Sequence, residues 1–128
     1  MAKLKLLLQK ETMAFCRLSP TDEIPAWIYK EPFYCITHSA DELSLYLPQD
    51  RIPQGWKIVG NWRLFKISGP LDFNLIGIIA SIANPLATAS IPINAISTFD
   101  TDYIMVQARE LEQAIEVLEF EGFEVVRE

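Results

Sequence analysis

Hydrophobic and polar positions alternate at the start of the chain, where Leu4, Leu6 and Leu8 interleave with Lys3, Lys5 and Leu7. A period of two predicts a strand of about four to seven residues. A second extended segment, Met13 to Leu18, is expected to pair with it. Ser19 to Pro32 carries three prolines and the acids Asp22 and Glu23, which predicts a loop with at most one helical turn starting near Thr21 or Asp22. Phe33 to Thr37 and Leu43 to Leu47 are apolar runs joined by the polar residues His38 to Glu42, so they form a hairpin. Two prolines between Pro48 and Gly55 break regular structure before an extended Trp56 to Val59, and Gly60-Asn61 reads as a turn into a strand from Trp62 to Ser68.

The pattern then changes period. From about Phe73 to Ala89, Leu75, Ile78 or Ile79, Ile82 and Leu86 recur every three or four residues, with Ile76, Ala80, Ala83 and Ala87 widening the stripe. This predicts a helix buried over nearly its whole surface, with Asp72 as N-cap and Pro85 kinking or shortening it. Ile91 to Ser97 reads as a buried strand, and Tyr103 to Gln107 as its partner across the turn Thr98 to Asp102. Glu110 to Glu121 is amphipathic, with Leu111, Ala114, Ile115 and Leu118 inside, Gly122 at its C-terminal end and a last strand from Phe123 to Val126. The second half thus spells strand, helix, strand, strand, helix, strand. That is the ferredoxin-like order, in which two helices cover one face of a four-stranded antiparallel sheet and the other face is open unless something covers it.

A shift of sixty positions lays Cys35 to Leu47 over Ala95 to Gln107 and Leu4 over Leu64. The first half therefore reads as a degenerate copy of the second, with prolines where the second half has helix formers.

Composition narrows the function classes. A chain of 128 residues, half of them hydrophobic, can bury a core. Its net charge of −6 repels polyanions, which argues against nucleic acid as a partner. Cys16 and Cys35 fit no zinc spacing and read as free, buried thiols. The apolar start runs into Lys10 and Glu11 without a small-residue cleavage site, and the run from Leu71 to Ala83 is too short and too polar to span a bilayer. The expected compartment is the cytoplasm, with no membrane partner.

Catalysis has little to stand on. Cys35, His38, Ser39 and Asp41 are close in sequence, but residues adjacent along a hairpin point to opposite faces, and a histidine in a polar turn reads as a surface residue. There is no Gly-rich phosphate loop, no metal-ligand spacing and no nucleophile elbow, so the chain reads as a non-enzyme with no cofactor.

The segment GPLDFNLIGIIASIANPLA, followed by INAISTFDTDYIMV, resembles the second module of small tandem ACT-domain proteins, a group that includes the CASTOR-type cytosolic arginine sensors. The pattern from Thr37 to Ser44 and the pair Gly55-Trp56 are similar to the same group. The resemblance implies ferredoxin-like modules that bind amino acids at interfaces and regulate a partner. Its ligand contacts, carried onto this chain, fall on Leu71, Asp72, Phe73 and Asn74 before the first helix, on Pro92 and Ile93, and on Thr98, Phe99 and Asp102. Two departures stand out: the family places a glycine at the helix start, whereas Gly77 is expected a turn inside, and Pro92 lacks a polar side chain. The chemistry of the residues is compatible with such a site. Free amides at a helix start suit an α-carboxylate, Asp102 with Asp100 behind it suits an ammonium or guanidinium, Thr98 adds a hydroxyl and Phe99 an apolar wall. Asp72 as a helix cap, and Asp100 to Asp102 as a hairpin turn, are the plainer readings of the same residues.

The expectation is an α+β chain of two tandem ACT-like modules, 1–60 degenerate and 61–128 complete. It would act as a non-enzymatic sensor of a small molecule, an amino acid first, working as a homodimer on a regulated protein. The alternative is a protein-interaction or dimerisation module without a ligand, built on an open sheet face and on Trp27, Trp56 and Trp62.

Overall fold

Nothing between Leu8 and Met13 can reverse the chain, since Gln9-Lys10-Glu11-Thr12 contains no glycine, proline or asparagine. The computed structural model, which describes residues 4–68 and 76–128, accordingly has one strand, β1, Lys5–Leu18, where two paired strands were expected. Next come a 3-10 turn Ala26–Lys30, β2 (Cys35–His38), β3 (Leu43–Pro48), a second 3-10 turn Gln49–Arg51 and β4 (Lys57–Ile67). The rest is α1 (Ile78–Thr88), β5 (Ile93–Ser97), β6 (Asp102–Gln107), a 3-10 turn Ala108–Glu110, α2 (Leu111–Phe120) and β7 (Glu124–Arg127). The fold is α+β and ACT-like.

The helical turn expected between Ser19 and Pro32 starts at Ala26, after Pro25, and not near Thr21, because Ser19 to Asp22 closes a turn of its own. In that turn the Asp22 carboxylate accepts a bond from the Ser19 amide at 2.8 Å. Gly60-Asn61 is likewise no chain reversal. It lies inside β4, where Asn61 holds a φ of 66°, and the Gln49 side chain accepts from the Asn61 amide (2.6 Å) and donates to its side-chain carbonyl (3.2 Å). A Cβ on Gly60 would lie 2.5 Å from the Gln49 oxygen, so this clamp requires glycine there.

The chain divides into two units, one of Met1–Lys10 with Arg63–Glu128, the other of Glu11–Trp62. β1 and β4 each contribute a part to both. In the first unit the strand order is β7-β1-β4-β6-β5. Ser68 N–H donates to the Lys5 carbonyl and the Arg63 guanidinium to the Gln9 carbonyl, so β4 runs antiparallel to β1. β7, which in a ferredoxin-like order would lie antiparallel beside the first strand of the module, instead pairs with β1 in parallel, from Lys5↔Glu124 to Leu8↔Arg127. The expected four-stranded antiparallel sheet is thus a five-stranded one with a single parallel pair. Leu6, Leu8, Phe65, Ile67, Ile104 and Val106 face α1 and α2 and form the core of this unit. The pleat turns Leu64 and Met105 to the other face, where both are buried while Leu7, Lys66 and Tyr103 are half-buried.

α1 is shorter and more one-sided than its apolar run suggested. Ile78, Ile82 and Leu86 are buried, while Ala80, Ala87 and Ile76 are exposed. Pro85 is accommodated inside the helix, which continues to Thr88. Both helices end in a Schellman pattern. Phe123 N–H bonds to the Leu118 carbonyl across Gly122 (φ 98°), and Ile91 N–H bonds to the Leu86 carbonyl across Ser90 (φ 61°). β5 is an edge strand, half-buried or exposed throughout, not a buried one.

In the second unit the order is β2-β3-β1-β4. Ala14, Cys16, Leu43, Leu45 and Leu47 turn one face of this sheet towards Ile28 of the 3-10 turn, with Trp27, Ile52 and Trp56 packed around them. Phe15, Tyr46, Trp62 and Phe33 form an aromatic cluster, with Phe15 4.5 Å from Tyr46 and 5.7 Å from Trp62 between ring centroids. Cys16 pairs with Leu45 and Cys35 with Tyr46, so the two thiols lie on either side of β3 and face opposite ways. Both are free, and burial pushes the Cys16 thiol up to about 11 and raises that of Cys35.

Candidate functional site

A helix leaves its first amides without partners inside the helix, so where α1 starts decides what can bind there. The structure places the start at Ile78, with Gly77 in the N-cap position at a φ of 82° and no side-chain cap. The expected N-cap, Asp72, is therefore not the cap of the described helix. Moving the start from Phe73 to Ile78 also removes the glycine departure: Gly77 stands at the helix start, where the family pattern has one. Residue 76 is exposed and Gly77 is exposed, so the helix entrance is open to solvent on the described side. Leu71, Asp72, Phe73 and Asn74 lie outside the described residues.

The turn between β5 and β6 stands at the same sheet end. Thr98 N–H donates to the Thr101 carbonyl (2.8 Å), and the Thr98 hydroxyl also bonds to that carbonyl and accepts from the Thr101 amide. The Thr101 hydroxyl, in a buried side chain, donates to the Ile67 carbonyl at 2.6 Å. That bond fastens the turn to the last residue of β4, just before the chain leaves for α1. Thr101 has no part in the sequence-based site, because a threonine in a turn reads as one more polar turn residue; its burial is a tertiary fact. Gly77 was visible in the sequence but hidden by the apolar run around it.

Asp102 is half-buried and pairs with Ser97 across the two strands. The pleat puts it on the same face as Ile104 and Val106, the face that carries the helices. Phe99, at the tip of the turn, is 81% exposed. Thr98, Phe99 and Asp102 are thus brought together. Pro92 and Ile93 are not with them, for they stand at the opposite end of β5, and Ile93 packs against the core under the helices.

A cleft of about 750 Å³ lies elsewhere in the same unit, between the last turns of α1 and α2, and none of the described candidate residues lines it. The residues considered for catalysis hold no chemistry together. The His38 ring bonds to the Pro20 carbonyl, and the Ser39 hydroxyl accepts from the amides of Asp41 and Glu42 in its own turn. Among the described residues no group of three or more His, Cys, Asp or Glu could hold a metal ion, and no helix is long and apolar enough to cross a membrane.

Comparison with known proteins places this geometry. Residues 57–119 match the ACT domain family, and residues 11–55 match a separate N-terminal domain model. Over 59 residues the chain is 46% identical to the human cytosolic arginine sensor for mTORC1 subunit 1, a match covering 45% of this chain. It covers 18% of that protein, so the chain spans less than a fifth of the length of such relatives. A crystal structure of an Agrobacterium tumefaciens protein is 36% identical, with a TM-score of 0.92 over 100% of this chain and 96% of that one. The regulatory subunit of aspartate kinase from Thermus thermophilus shares the fold at 11% identity, with a TM-score of 0.65 over 94% of this chain and 99% of that one.

Proposed function

This chain belongs to the ACT-domain family and is related to the CASTOR-type sensors, and from that premise we propose that it is a non-enzymatic sensor that binds a free amino acid and regulates a protein partner. The carrying observation is the open start of α1, without a side-chain cap, at the sheet end where Thr101 holds the β5–β6 turn against β4. A ligand α-carboxylate accepts from the amides that follow Gly77, and the positive end of the helix dipole favours it. Asp102 answers the ammonium, or the guanidinium of arginine, which the related sensor's name makes the first ligand to try. Phe99 closes the apolar side, and Leu71, Asp72, Phe73 and Asn74 come into the proposed site from the family resemblance alone. The Thr98 hydroxyl is spent on its own turn, so its part is to shape the turn, with ligand contact through the backbone.

The wider reading is a tandem of ACT-like modules. Each unit presents the ferredoxin-like succession, β4-α1-β5-β6-α2-β7 in the first unit, and in the second β1, a 3-10 turn, β2, β3, a 3-10 turn, β4. The strand order of the second unit, β2-β3-β1-β4, is the ferredoxin-like order, which supports a degenerate module of 11–62 where the sequence placed 1–60. The exposed edge of β5 supports a homodimer in which Pro92 and Ile93 of one copy complete the site of another, in the cytoplasm where the related sensor works.

Titration calorimetry with L-arginine on the wild type and on Asp102→Asn tests the site. Loss of a charged partner predicts weaker binding by about 1–3 kcal/mol, roughly five- to 150-fold. Equal affinities of the two proteins would remove Asp102 from the site.

A further inference from the structure

The cleft between α1 and α2 is lined from two short stretches, residues 84–89 and 116–121. Its walls are Pro85, Ala89, Val117 and the Phe120 side chain, which stands 90% exposed, and Glu116 and Glu121 stand at its edge. Three features give it negative potential. Both stretches hold the C-terminal turns of their helices, where the helix dipole carries partial negative charge. Neither helix has a basic residue in its last turn. Among the described residues no Lys or Arg forms an ion pair with Glu116 or Glu121. The charges run against helix preference, since a carboxylate near a helix C-terminus destabilises the helix that carries it. A large exposed aromatic beside unpaired carboxylates leaves both an apolar and a cationic requirement unmet.

We propose that this cleft binds a small cationic amphiphile, an organic ammonium or guanidinium attached to an apolar body, separately from the amino-acid site. The apolar body covers Phe120 and Val117, and the cation sits between Glu116 and Glu121 against the helix ends. The dimensions favour a small molecule over a docked helix. Each stretch of six residues spans about 9 Å of helix, too short a track for the several turns a peptide helix needs. The volume lies within the range of small-molecule sites. A ligand here needs no α-carboxylate, so binding at this cleft and binding at the start of α1 succeed or fail independently.

The test is a two-dimensional amide NMR titration of the full chain with n-hexylammonium and, as a match of opposite charge, hexanoate. The expected result is millimolar or tighter binding of the ammonium, shifts concentrated at 84–89 and 116–121, and hexanoate about tenfold weaker or silent. Phe120→Ala should weaken hexylammonium about tenfold, as loss of an aromatic wall does. Glu116→Gln with Glu121→Gln should weaken it about fivefold and remove its salt dependence. All three side chains are exposed, so none of the variants should melt below the wild type, and loss of the two carboxylates at the helix ends should raise the melting temperature slightly. Equal binding of hexanoate, shifts centred on Gly77 and Thr98, unchanged affinity in the variants, or no shifts at all would overturn the proposal.

Discussion

Exchanging the Thr101 hydroxyl for a methyl group would leave the buried carbonyl of Ile67 without its donor, at almost constant side-chain volume. Thr101→Val is therefore expected to cost about 1–3 kcal/mol in chemical denaturation, while Thr101→Ser, which keeps the hydroxyl, should cost less than half as much. The stability loss should come with weaker ligand binding, because the same bond fixes the turn that carries Phe99 and Asp102. How far single residues can be read from sequence is clear from this neighbourhood. Phe99 was legible as an aromatic at a turn, and the structure puts it at the tip, whereas Asp102, read as part of the turn, is the first residue of β6. Thr101 was not legible, since nothing in its local sequence distinguishes a buried hydroxyl from a solvated one. Gly77 was misplaced because Ile76, Ile78 and Ile79 kept the helical period running through it, and a φ of 82° cannot be seen in a period.

At the scale of elements, α2 is the clearest case of sequence specifying structure. Its apolar stripe, its length and its terminal Gly122 all agree, and Leu111, Ala114, Ile115 and Leu118 are the residues it buries. It also carries acids where the dipole disfavours them. Glu121→Lys should raise stability by about 0.3–1 kcal/mol, seen as a higher melting temperature, while abolishing hexylammonium binding at the cleft. Glu112 of the first turn is held by Arg127 of β7 at 3.1 and 2.7 Å, and hydrogen bonding from that guanidinium lowers its carboxyl below the usual 4.5. A lowered folded value means that the contribution is complete above about 4.5 and is lost as pH falls through the folded value. Glu112→Gln should accordingly lower stability slightly at neutral pH, where the contribution is complete, and converge with the wild type as pH falls below 4.5, checked by urea unfolding at a series of pH values. Where elements were misread, the cause was a missing tertiary partner. Gly60-Asn61 looks like a turn in isolation and becomes part of a strand because Gln49 supplies the bonds a turn would have supplied.

For the whole molecule, the hairpins β2–β3 and β5–β6 were legible and the long-range pairing was not. Strand, helix, strand, strand, helix, strand follows from local period, but the pairing of β1 with β7 depends on contacts more than a hundred residues apart. His38↔Leu43 and Ser97↔Asp102 close two four-residue turns that stand fifty-nine positions apart rather than sixty. At that offset Ser39 falls on Thr98, and both residues make the same bond, from their amide to the carbonyl three residues on. The two hairpins share one turn chemistry. The most direct test of the amino-acid sensor is a thermal-shift screen of the purified chain against the twenty amino acids, one at a time, with wild type and Asp102→Asn side by side. A ligand at about a hundred times its dissociation constant stabilises by about 2.7 kcal/mol, which moves the melting temperature by several degrees. The predicted result is one amino acid, or a small cationic or zwitterionic set, that shifts the wild type and loses most of its effect in the variant. No shift with any of the twenty would contradict the sensor and leave an ACT-like chain whose work is to pair with another protein.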